Sequence, residues 1–182
     1  MANYADLVTY LTASLLFEEK MEVSLSIAQR EGWHGALLYI ELTFGEGAKA
    51  PSSVEGEHFF EQLAVRLKEE TRSGDLILKT EKGHFLLWLQ HVDAEKALQI
   101  GKRIHASLER LIEPLGQVRS SIGIALYPYD GKTLEQLKQR ALYALHQSRV
   151  RGHAVHIYDP IAQSPAELEL GSSDEPIDTS RG

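Results

Sequence analysis

Two short apolar runs, Asp75–Lys79 and His84–Gln90, flank the four residues Thr80-Glu81-Lys82-Gly83. Strand formers on either side of a turn that ends in Gly predict a β-hairpin in the middle of the chain. The segments around it carry a different period. Phe59, Phe60, Leu63, Ala64 and Leu67 recur at intervals of three and four and predict a helix to about Thr71. After the hairpin, Ala97, Ile100, Ile104, Leu108 and Leu111 stripe a second helix, with Asp93 placed to cap it. Leu134, Leu137, Ala141, Ala144 and Leu145 stripe a third. At the start, Asp6–Arg30 reads as helix, with Leu15, Leu16, Met21, Val23, Leu25, Ile27 and Ala28 at roughly helical spacing and Gly32 ending it. Ala36–Leu42, Val118–Leu126 and Ala154–Tyr158 are apolar runs that read as strands, and Phe44–Gly56 reads as a loop. Helix, strand, helix, hairpin, helix, strand, helix, strand is the order of an α+β domain with a central mixed/antiparallel sheet and helices packed on it.

Composition narrows the function classes. The chain has 182 residues, no Cys and a net charge of −7. Absence of Cys excludes disulfides and thiolate-bound zinc and fits a cytoplasmic setting. No apolar run approaches the roughly 18 residues of a membrane span, and Met1–Glu18 shows no secretory pattern. An acidic chain is a poor general partner for nucleic acid. The charge is uneven, however. Pro160–Gly182 holds three Pro, no aromatic residue, and Glu167, Glu169, Asp174, Glu175 and Asp178 against Arg181 alone. This segment contributes −4 and leaves −3 for residues 1–159. Residues 1–159 are therefore expected to fold, and 160–182 to form an acidic disordered tail.

Several motifs fall in a known order. The stretch Asp6-Leu7-Val8-Thr9-Tyr10-Leu11 is similar to Asp-x-Leu-Thr-Gly-Leu. Ser121-Ile122-Gly123-Ile124-Ala125-Leu126-Tyr127-Pro128 is followed in register by Asp130-Gly131, and Ala144-Leu145-His146-Gln147-Ser148-Arg149 is similar to Ala-Leu-Tyr-x-Ala-Lys. Together these resemble the GGDEF domain of bacterial diguanylate cyclases over about Asp6–Asp159, and the architecture looks like a ferredoxin-like palm of the nucleotide cyclase type.

The resemblance places the signature Gly-Gly-Asp/Glu-Glu-Phe on Glu81-Lys82-Gly83-His84-Phe85, where only the Phe matches. Glycines there let a tight turn approach nucleotide phosphates. Gly83 stands where the family has a metal-holding carboxylate, and His84 replaces the next acid. Glu41 takes the place of the family's strand-end metal ligand, with Thr43 where a second Asp is usual. The guanine-holding Phe-Lys-x-x-Asn-Asp becomes Phe44-Gly45-Glu46-Gly47-Ala48-Lys49. Magnesium requires several hard oxygen ligands, and phosphoryl transfer depends on it. The resemblance therefore implies a vestigial active site at Glu41, Glu81, Lys82, Gly83 and His84, with no catalysis, no metal and no cofactor.

The family also carries a product-binding inhibitory site, Arg-x-x-Asp, ahead of the signature turn. Arg72-Ser73-Gly74-Asp75 has that spacing, and Arg103 falls in register with a second family Arg. A guanidinium can pair with guanine O6 and N7 or with phosphate, and a carboxylate can accept from the guanine N–H edge. The plain alternative is a surface ion pair between Arg72 and Asp75. The resemblance implies a cyclic di-GMP receptor with Arg72, Asp75 and Arg103 as ligand contacts. It further implies a ligand taken as a stacked dimer, ligand-induced dimerisation and an unidentified protein partner. A nucleotide-independent interaction or scaffold module is the competing expectation. His153 and His156, three apart on a strand, point to different faces and read as surface residues. Trp33 and Trp88 read as partly buried packing residues, and Lys138, Arg149 and Arg151 as a solvated basic face.

Overall fold

A computed structural model of the chain describes residues 4–46, 53–80, 83–150, 152 and 154–160. The elements follow the expected order: α1 (Tyr4–Glu31), β1 (Gly35–Phe44), α2 (Ser53–Glu70), β2 (Leu76–Lys79), β3 (Phe85–Gln90), α3 (Ala94–Ile112), β4 (Val118–Tyr127), α4 (Leu134–Val150) and β5 (Val155–Ile157). The sheet order is β2-β3-β1-β4-β5. The first three pairings are antiparallel and β4–β5 is parallel, so the sheet is mixed. The expected α+β palm is the observed fold.

Alternation along the strands divides the core in two. Ala36, Leu38 and Ile40 of β1 join Phe85, Leu87, Leu89, Ile122 and Ile124 beneath α2 and α3, which supply Phe59, Leu63, Leu67, Ile104, Leu108 and Ile112. Leu37, Leu86, Trp88, Ala125 and Tyr127 face the other way, against Phe17, Met21, Leu25 and Ala28 of α1 and Leu137 and Ala141 of α4. Central β1 is covered on both faces, which explains its continuous apolar run.

Several local expectations change. The apolar α1 side chains that are buried are Phe17, Met21, Leu25 and Ala28, with Ser24 beside them, while Leu15, Leu16, Val23 and Ile27 are exposed. The helix is apolar around more of its circumference than the sheet covers, so periodicity could not choose the buried face. Strand β1 extends to Phe44 because β4 continues to pair with it through Phe44↔Val118. Helix α2 starts at Ser53 rather than near Phe59, with Glu55 in its first turn, where an acid suits the positive end of the helix. Trp88 is wholly buried rather than partly, and its indole N–H donates to Ser24 Oγ at 2.8 Å. Trp33 packs on Trp88 and on His91. Asp93 caps α3, accepting from the Lys96 N–H at 2.8 Å.

One glycine sets how α4 sits. A Cβ on Gly123 of β4 would run into the Ala141 carbonyl oxygen and the Leu145 backbone N–H. Only Gly lets that helix backbone rest directly on the strand. Of the expected 160–182 tail, all but Pro160 lies outside the described residues, as do His153 and Arg151.

Candidate ligand-binding site and signature hairpin

The Arg72–Asp75 segment is a turn joining α2 to the edge strand β2. The Asp75 N–H donates to the Arg72 carbonyl at 3.1 Å, and the Asp75 carboxylate accepts the Arg72 backbone N–H at 2.8 Å. Its other oxygen accepts the Gln90 N–H at 3.1 Å, tying the turn to the end of β3. The Gln90 side-chain amide donates to the Gly74 carbonyl. Asp75 is thus 8% exposed and holds the junction together. The simple ion pair between Arg72 and Asp75 side chains is not what forms, because the carboxylate meets the Arg72 main chain. The Arg72 guanidinium is exposed and pairs with no described residue.

Arg103 reaches the same junction from α3. Its Nε donates to Glu70 Oε2 and its Nη2 to the Glu70 carbonyl, both at 2.7 Å. Glu70 is the last residue of α2, so Arg103 also satisfies a carbonyl that the helix end leaves open. The fold brings Arg72, Asp75 and Arg103 to one end of β2. Glu70 and Gln90 complete the cluster and escaped sequence reasoning. Glu70 stands close to Arg72 in the chain, but its partner lies 33 positions away.

The signature hairpin lies at the opposite end of β2, about 15 Å along the strand at some 3.3 Å per residue. Glu81 and Lys82 fall outside the described residues. Gly83 closes the turn with φ +77°, donating its N–H to the Thr80 carbonyl at 3.0 Å. A Cβ there would stand 2.9 Å from Phe60 Cζ. Lys79 Nζ lies over the same Phe60 ring, 4.6 Å from its centre.

His84 begins a chain of polar contacts across the sheet end. Its Nδ1 is 3.1 Å from the Tyr39 hydroxyl, and its Nε2 is 3.4 Å from Glu41 Oε1. The second Glu41 oxygen accepts from Arg149 Nη1 at 3.3 Å. Burial, then the nearby Glu41 and Tyr10, raises the Tyr39 pKa above its usual 10.0. The phenol therefore keeps its proton and can donate it to His84 Nδ1, leaving the Nε2 hydrogen directed at Glu41. Tyr39 was not singled out from sequence, although it lies on the Glu41 face of β1, two positions away. Arg149 is an ion-pair partner rather than part of a freely solvated face. Donors here are one carboxylate, an imidazole and a guanidinium, which do not fit a magnesium ion that takes several oxygens. Among the described residues, no three His, Asp or Glu side chains gather closely enough to hold a metal. No described helix is long and apolar enough to cross a membrane.

A five-stranded palm with a turn at the end of its edge hairpin defines a domain of the nucleotide cyclase type. The chain belongs to the GGDEF family: the model described as "Diguanylate cyclase, GGDEF domain" matches residues 3–154. Among curated proteins it resembles the bifunctional diguanylate cyclase/cyclic di-GMP phosphodiesterase MucR of Pseudomonas aeruginosa, at 26% identity over 157 residues. That match covers 81% of this chain and 22% of MucR, so the chain spans about a fifth of that relative's length. The fold is shared with the GGDEF domain of PA1120 (TpbB or YfiN) from P. aeruginosa, with TM-score 0.69, 22% identity, and coverage of 85% of this chain and 93% of that one. It is also shared with the GGDEF domain of DgcB from Caulobacter crescentus, solved in complex with c-di-GMP, with TM-score 0.63, 14% identity, and coverage of 79% and 86%.

Proposed function

We propose that this chain is a GGDEF domain that does not synthesise cyclic di-GMP but binds it at the α2–β2 junction and passes the signal to a protein partner. The carrying observation is the exposed Arg72 guanidinium, free of described partners, on a turn braced by Asp75 and flanked by Arg103. A brace of this kind fixes the turn before ligand arrives, which lowers the ordering cost of binding. Two guanidinium groups suit a ligand with two phosphates and two guanine edges. The remaining lone pairs of Asp75 can accept a guanine N–H. DgcB, a relative of the same fold, was crystallised with c-di-GMP, and this supports the ligand class.

The inactive half of the reading rests on the hairpin. Gly83 has no carboxylate to offer, and Glu41 is engaged by His84 and Arg149. Cyclase chemistry needs metal to neutralise the triphosphate. Calorimetry with cyclic di-GMP tests the receptor reading. Binding that Arg72→Ala and Arg103→Ala each weaken supports it. No heat of binding up to about 100 µM ligand, or an affinity unchanged in Arg72→Ala, overturns it. Sedimentation with and without ligand tests the stacked-dimer expectation. A ligand-independent interaction module is the second reading, favoured by the exposed Leu15, Leu16, Val23 and Ile27 on α1.

A further inference from the structure

The two guanidinium groups of the junction are in different states. Arg72 is open, whereas Arg103 already holds an anion. Its Nε and Nη2 both go to Glu70, one to the carboxylate and one to the carbonyl. That pair of nitrogens is one of the parallel-donor edges by which Arg grips phosphate, carboxylate or guanine O6 and N7. The Glu70 side chain is 17% exposed and that of Arg103 is 59% exposed. The anion is therefore sheltered while the cation faces solvent.

Glu70 sits where a carboxylate has little other reason to be. The C-terminal end of a helix carries partial negative charge and favours cations. Glu69, beside it, pairs with Arg66 at 3.0 Å, so Arg103 is the cation that offsets Glu70.

We propose that Glu70 is an internal competitor for Arg103, its carboxylate occupying the guanidinium edge that the cyclic dinucleotide takes on binding. This rests on the α2–β2 junction being the dinucleotide site. Ligand binding is then an exchange of one anion for another. Replacing the Glu70 carboxylate by an amide weakens its hold on Nε, because a neutral acceptor binds a guanidinium less strongly, and also removes a negative charge beside a dianionic ligand. The carbonyl contact belongs to the main chain and survives substitution, so Arg103 keeps its placement over the helix end. Affinity is set by the competitor as much as by the contacts to ligand.

The test is calorimetry with cyclic di-GMP on the full chain and on Glu70→Gln, Arg103→Ala and the double variant. Glu70→Gln is expected to bind roughly two- to fivefold tighter, the range of a partly exposed ion pair. The gain should be clearly smaller when Arg103→Ala is the background, where only the through-space charge effect of Glu70 remains. The Arg103 Nε–H resonance in a nitrogen-correlated NMR spectrum should move on adding ligand to the unmodified protein, and on making Glu70→Gln without ligand. Binding by Glu70→Gln alone supports the competitor at this site and overturns the receptor reading for the unmodified protein. Weaker or equal binding by Glu70→Gln, with the unmodified protein still binding, overturns the competitor and leaves the receptor reading standing. No binding by either protein overturns both.

Discussion

Arg149 Nη1 stands 3.3 Å from Glu41 Oε2, so the last turn of α4 closes onto the end of β1 beside His84 and the signature hairpin. A guanidinium there supplies positive charge without open coordination positions. Arg149 is 43% exposed, so solvent screens the pair. Arg149→Ala is therefore expected to change folding stability by less than about 1 kcal/mol, measured by urea denaturation. Neither the unmodified protein nor this variant is expected to form cyclic di-GMP from GTP with magnesium or manganese. Product on chromatography would contradict the reading of the hairpin.

Restoring the family's acid at Gly83 is expected to harm the fold rather than revive a site. The residue has φ +77°, and a Cβ would press on Phe60 Cζ at 2.9 Å. Gly83→Asp should cost about 1–3 kcal/mol, read as a lowered thermal midpoint. Combining it with Phe60→Ala relieves the steric part of the Gly83→Asp effect and leaves the backbone part, which a double-mutant cycle separates. A Gly83→Asp protein as stable as the parent would show that the turn is not held as described.

A pH effect is expected away from the proposed site. His105 Nδ1 lies 2.6 Å from Ser120 Oγ, whose hydroxyl donates to Glu109 Oε1 at 2.8 Å. Burial lowers the His105 pKa below its usual 6.5, with Glu109 pulling less strongly the other way. The unfolded chain takes up a proton near pH 6.5, while the folded chain resists it until lower pH. This contribution to stability is full above pH 6.5 and is lost as pH falls through the depressed folded value. Urea midpoints measured across that range should fall for the parent and fall less for His105→Gln. Parallel pH profiles for the two proteins would remove His105 as the cause.

Local features were legible in the sequence. The hairpin, the Asp93 cap and the stripes of α3 and α4 depend on residues within a few positions of one another, and each formed as its pattern predicts. The start of α2 and the buried face of α1 were less legible. Apolar side chains surround much of α1, and only the sheet it lands on selects Phe17, Met21, Leu25 and Ala28. For the candidate site, spacing brought Arg72, Asp75 and Arg103 to notice. It did not foresee that Asp75 would spend its carboxylate on the N–H groups of Arg72 and Gln90.

The amino-acid sequence by itself determined the order of elements, the mixed α+β class and the residue types available at the hairpin and at the Arg72–Asp75 turn. These follow from period, turn chemistry and the side chains present. Tertiary structure decided what each charge meets. Glu70 pairs with Arg103, Glu41 with Arg149 and His84, and Tyr39 with His84 across separations of 33 to 108 residues. Such pairs form because burying the two apolar faces of the sheet brings distant polar ends together. A charge at a strand or helix end then takes whichever partner the packing delivers, and that choice is absent from any local pattern.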